Sequence, residues 1–144
     1  GYFAKTTDGK VIPTRDFSGI ENLKAVTYAY KYNVHYWNEA VKPAGIYNVP
    51  IQIVPEVNPL TLRRGDTLQL RIYKDGAPYA NAPVIADVLG DLTNETQADA
   101  NGYVSVRIAN NGLNVIGVEV GFPTDNPIVT KKIFSSLSFI IPAE

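Results

Sequence analysis

Along residues 24–37 the chain alternates, with Val26, Tyr28, Tyr30, Tyr32, Val34 and Tyr36 at the even positions and Ala25, Thr27, Ala29, Lys31, Asn33, His35 and Trp37 at the odd ones. A period of two sends successive side chains to opposite faces of an extended backbone, so this segment predicts a long strand with its even face covered. Val41 to Asn48 interrupts the pattern with Pro43 and Gly45 and reads as a connection. Beyond it the alternation returns in shorter runs. Ile51 and Ile53 form one such set, followed by Leu68, Leu70 and Ile72, then Val84, Ala86 and Val88. Val104, Val106 and Ile108, then Ile116, Val118 and Val120, and finally Leu137, Phe139 and Ile141 complete the series. Asp75-Gly76, Asp99-Ala100-Asn101-Gly102 and Asn110-Asn111-Gly112 punctuate these runs with residues that tolerate tight-turn backbone. Asp91 to Ala98 is polar and reads as an exposed strand or loop.

Strands parted by turns about every ten residues predict an all-β fold, an immunoglobulin-like antiparallel β-sandwich. The sandwich is expected over residues 49–144, preceded by an N-terminal β-rich extension over 1–48 that carries the long Tyr-rich strand. Its core is expected to join Leu68, Leu70, Ile72, Val104, Val106, Ile108, Ile116, Val118, Leu137 and Phe139 between two sheets. Nine Tyr, eleven Gly and ten Pro in 144 residues agree with strands and turns. A chain of this length buries roughly 70% of its unfolded surface and needs no covalent staple.

Charge and chemistry narrow the function. Lys+Arg 13 against Asp+Glu 14 gives no reason to expect nucleic acid as partner. The absence of Cys and Met removes thiolate and thioether metal ligands and any cysteine nucleophile. With no run of about 18 apolar residues and a start at Gly1 instead of Met, a processed, soluble chain is expected. His35 is the one histidine, and a triad of His35 with Ser136 or Ser138 and a distant Asp lacks any nucleophile motif. Oxygen donors for Ca²⁺ could come from Asp87, Asp91, Glu95 and Asp99, but these lie on or beside turns, where carboxylates serve backbone geometry. Glu56 with Asp66 reads as two solvated loop carboxylates, and Asn94-Glu95-Thr96 as a chance sequon in an exposed stretch. No catalytic residue, cofactor or metal site is assigned.

Ile53-Val54-Pro55-Glu56-Val57-Asn58-Pro59, Leu62 through Gly65-Asp66, Tyr73-Lys74-Asp75-Gly76-Ala77-Pro78, Ala98 to Tyr103 and Ser136-Leu137-Ser138-Phe139, together with the opening Gly1 to Gly9, resemble a family of uncharacterised bacterial extracytoplasmic proteins. That family is often linked to the periplasmic side of nickel or cobalt uptake, and the resemblance implies an extracytoplasmic location. Its members usually carry a further β-rich region upstream and histidines that this chain lacks. Without that region, the strand over residues 24–37 is expected to seek a partner, because apolar edges invite association. The expectation is a non-enzymatic structural subunit of an extracellular or cell-surface assembly, either a filament or a discrete oligomer. It would associate with further copies or another surface protein by strand addition through Val26, Tyr28, Tyr30, Tyr32, Val34 and Tyr36. A periplasmic accessory or binding module for nickel or cobalt uptake is the alternative.

Overall fold

The computed structural model describes residues 2–38 and 49–142. Among them are β1 (Tyr2–Thr6), β2 (Val11–Thr14), β3 (Leu23–Tyr36), β4 (Ile51–Pro55), β5 (Thr67–Lys74) and β6 (Ala77–Pro78). There follow β7 (Pro83–Asp87), β8 (Asp91–Gln97), β9 (Tyr103–Arg107), β10 (Gly112–Pro123) and β11 (Val129–Ile141). One 3-10 turn spans Pro59–Thr61, and the described residues contain no α-helix. Hydrogen-bonded neighbours run β2-β1-β3-β11-β10-β7-β8 in one sheet and β4-β5-β6 in the other, with β9 also on β5. The all-β sandwich that the alternation predicts is what forms. The expected boundary near Asn48 lies outside the described residues.

The chain forms two compact units, Gly1–Lys31 with Glu119–Phe134, and Tyr32–Val118 with Ser135–Glu144. In the second, β5 is central to its sheet, pairing Ile72 with Ile53 of β4 and Leu70 with Val104 of β9. All ten residues expected in the inter-sheet core are buried there, joined by Ile51, Ile53, Val84 and Ile141. Complete burial of side chains of this size stabilises by about 1.5–3 kcal/mol each. The alternate positions of β5 and β9, Gln69, Tyr103, Ser105 and Arg107, face solvent, as a half-buried sheet requires.

One feature of the sheet departs from the antiparallel expectation. Asn33 Nδ2 donates to Ser136 Oγ at 2.8 Å, and His35 Nδ1 meets Ser138 Oγ at 2.8 Å, so positions on β3 and β11 rise together. The two strands are parallel here and the sheet is mixed. More than ninety residues separate them, ample for the long crossover that parallel neighbours need.

In the first unit, β1 pairs with β2 through Ala4 and Ile12 and with β3 through Ala4 and Val26. Val26 N–H donates to Ile128 O at 2.7 Å on its other side. Ala4, Thr6, Val26 and Ile133 are buried. The expectation that the first part of the chain lacks partner strands is therefore corrected for Leu23 to Tyr28. β1 pairs with those positions directly, and β2 pairs with β1 behind it. Period-two patterning announces β3 but is silent about its neighbours, because Phe3-Ala4-Lys5 and Val11-Ile12-Pro13 are too short to show a period.

Candidate functional site

The six residues expected to form an interface on β3 do not make one uniform surface. Val26 and Tyr36 are 1% and 2% exposed, while Tyr28, Tyr32 and Val34 are half-buried and Tyr30 is exposed. Tyr28 stands edge-on to Tyr2 at 4.5 Å and to Tyr30 at 4.6 Å between ring centroids, and Tyr2 meets Phe17 at 5.2 Å. Lys131 Nζ lies 5.1 Å from the Tyr30 centroid. These are the edge-to-face and cation contacts that aromatic quadrupoles favour. Much of the tyrosine face is thus engaged with the chain itself.

The structure does bring His35 to Ser138, which spacing could not show. Ser138 is 6% exposed and also accepts from Asn33 Nδ2 at 3.3 Å. Among the described residues no carboxylate bonds to the imidazole, so the pair lacks the group that orients a catalytic histidine. The contact acts as a side-chain rung between parallel strands.

Four of the acidic residues singled out from the sequence, Asp66, Asp87, Asp91 and Asp99, accept from backbone N–H groups. Asp87 Oδ1 accepts from Gly90 N at 3.0 Å and Asn110 Nδ2 at 3.1 Å. Asp99 Oδ1 accepts from Asn101 N at 2.8 Å and Tyr103 N at 3.0 Å, and Asp66 Oδ2 from Arg63 N at 2.8 Å. The Asp91 carboxyl is held below its ordinary value, first by the Thr93 hydroxyl and then by the Thr93 N–H. Among the described residues no three His, Cys, Asp or Glu side chains gather as a metal site.

The polar stretch read from the sequence as an exposed strand or loop is β8, at one end of the seven-stranded sheet. Every residue of β8 is exposed, and Leu92 reaches 63%. β8 pairs with β7 from Pro83–Gln97 to Asp87–Asp91, with a register shift between Ile85 and Asp87, and ends the strand order on that side. Ala98 N–H points to Ala82 O at 2.9 Å, whereas Thr93 N–H turns to its own neighbour Asp91 Oδ1 at 3.0 Å. Amide direction alternates along a strand, so the N–H groups of Glu95 and Gln97 face away from β7. At the other end of the order, β2 carries Pro13, which has no donor to offer.

A family model matches residues 1–121. The chain belongs to the DUF4198 family, a domain of unknown function. The matched part of this DUF4198 chain runs from β1 into β10 and includes β8. The chain matches no curated protein and no solved structure. No described helix is long and apolar enough to cross a membrane.

Proposed function

We propose that this chain is a non-enzymatic structural module of an extracytoplasmic assembly, and that it joins a second copy by strand addition at β8. The observation that carries the reading is a whole strand, Asp91–Gln97, exposed along its length at the end of a sheet. Unpaired main-chain donors and acceptors on such an edge supply affinity to any added strand.

Charge selects the register in which a second copy would pair. A second β8 laid antiparallel about Asn94 sets Thr93 opposite Glu95 and Asp91 opposite Gln97, odd with odd, as the outward amides of Glu95 and Gln97 require. Centring the pair on Thr93 would place Asp91 against Glu95, and centring it on Glu95 would place two Glu95 side chains together. Like charges directly opposite destabilise a sheet. Of the three central registers the one about Asn94 avoids this, it overlaps more of β8 than pairing about Leu92 or Thr96, and it closes as a two-fold pair. Thr93 N–H exchanges its bond to the exposed Asp91 carboxylate for one to the partner strand.

The test is molar mass by light scattering across a concentration series. The parent should pass from monomer to dimer, while Glu95→Pro, which removes an outward amide, and Leu92→Lys should stay monomeric with an unchanged circular dichroism spectrum. A parent that is monomeric throughout, or variants that associate like the parent, would reject the reading. Nickel or cobalt handling, implied by the resemblance, is the second reading. It predicts stoichiometric Ni²⁺ binding in calorimetry, which assembly at β8 does not require.

A further inference from the structure

The solvent face of β5 and β9 holds a feature that assembly at β8 does not use. Arg71 and Tyr103 are direct cross-strand partners, and Tyr73 follows Arg71 by two positions on the same face. The guanidinium carbon lies 4.4 Å from the Tyr103 centroid and 5.4 Å from that of Tyr73. Arg71 Nε donates to Asn101 O at 3.1 Å, and Nη1 makes a long contact of 3.5 Å to Tyr73 Oη. The Asn101 carbonyl is itself fixed in the turn whose amides Asp99 holds. A long, flexible side chain is thereby fastened in one position.

A guanidinium presents five donors in a planar fork. Here Nε is used and Nη1 is weakly engaged, so the end-on edge formed by Nη1 and Nη2 is open. Among the described residues no carboxylate lies within ion-pair distance of it. Arg71 lines a shallow cleft of about 220 Å³ together with Val54, Pro55, Glu56, Gln69, Leu70 and the two tyrosines. Arginine in this state matches a carboxylate bidentately. Glu56 and Gln69 add a carboxylate acceptor and an amide, which are partners for hydroxyls. Tyr73 adds an aromatic surface beside them. A carboxylate without hydroxyls would face Glu56 with no compensating hydrogen bond, and a purely apolar acid would leave both Glu56 and Gln69 without use.

We propose that the Arg71 cleft is a binding site for a carboxylated sugar, a uronic acid residue, with its carboxylate on the open Arg71 fork, its hydroxyls on Glu56 and Gln69, and its ring against Tyr73. The cleft is too small for more than about one sugar unit, since whole small-molecule pockets run roughly 300–1,000 Å³. It therefore fits one residue of a longer chain lying across the face of the sheet.

The experiment is a nuclear magnetic resonance titration of the full chain with galacturonic acid trimer, with galactose and acetate as controls. The acidic trimer should shift the Arg71, Tyr73 and Tyr103 amides saturably, galactose should not, and acetate should bind at least tenfold more weakly. Arg71→Lys keeps the charge but loses the fork and should weaken the trimer at least tenfold, while the remaining spectrum stays superimposable on the parent's. The proposal fails if the trimer produces no saturable shift. It also fails if acetate binds as well as the trimer, or if Arg71→Lys binds equally well.

Discussion

Gly76 and Gly102 both adopt left-handed backbone, with φ of +81° and +83°, but their surroundings differ. A Cβ at Gly76 would meet nothing within 4 Å, whereas one at Gly102 would stand 2.7 Å from Ile72 O, the main chain of β5. Gly76→Ala should therefore cost about 1–2 kcal/mol, the price of the left-handed conformation alone. Gly102→Ala should cost clearly more, because the clash is with backbone that already accepts from Tyr79 N–H at 2.8 Å. Urea unfolding of the two variants side by side checks the order. Leu70, 1% exposed between β4 and β9, provides the core counterpart. Leu70→Ala should lower stability by about 2–5 kcal/mol, as large-to-small changes at filled sites do. A loss below about 1 kcal/mol would mean that the site collapses around the smaller side chain.

At the scale of elements, β8 makes the sharpest claim. If two copies pair about Asn94, that residue faces itself at a non-hydrogen-bonded position, where side chains approach most closely. The chain has no cysteine, so a single introduced thiol reports unambiguously. Asn94→Cys should oxidise readily to a disulfide dimer, since cross-strand Cβ separations there fall within disulfide reach. Leu92→Cys should not, because it would face Thr96. Efficient crosslinking by Leu92→Cys, or its absence in Asn94→Cys, would show a different register or none. β3 teaches a complementary lesson. Its alternation is the clearest in the sequence, yet Leu23 to Tyr28 is satisfied by β1 and Tyr28 packs on Tyr2. A strong pattern marked a strand correctly without marking an open edge.

At the scale of the molecule, three exposed carboxyls among the described residues, Asp8, Asp16 and Asp91, are held below the ordinary value of 3.8. The causes are led by the Thr6 hydroxyl for Asp8, the Ser18 N–H for Asp16 and the Thr93 hydroxyl for Asp91. A carboxyl with a depressed folded-state pKa binds protons more weakly when folded. Its stabilisation is present above the unfolded value and lost as pH falls through the folded one. Denaturant midpoints should accordingly decline as pH drops below about 4, and the triple Asp-to-Asn variant should show a shallower decline. An equal pH dependence in that variant would assign the acid sensitivity elsewhere. The sequence by itself determined the longer strands, most of their buried positions and the turns between them, because period and turn chemistry are local properties of a few residues. It determined the ten-residue inter-sheet core for the same reason. Only the tertiary structure decided that β3 and β11 run parallel, that β1 completes β3, that β8 is left at an edge, and that Arg71 meets Tyr73 and Tyr103 above a cleft. Each of these depends on which strand lies beside which, and pairing between distant segments is set by the sum of many weak contacts that no single stretch of sequence contains.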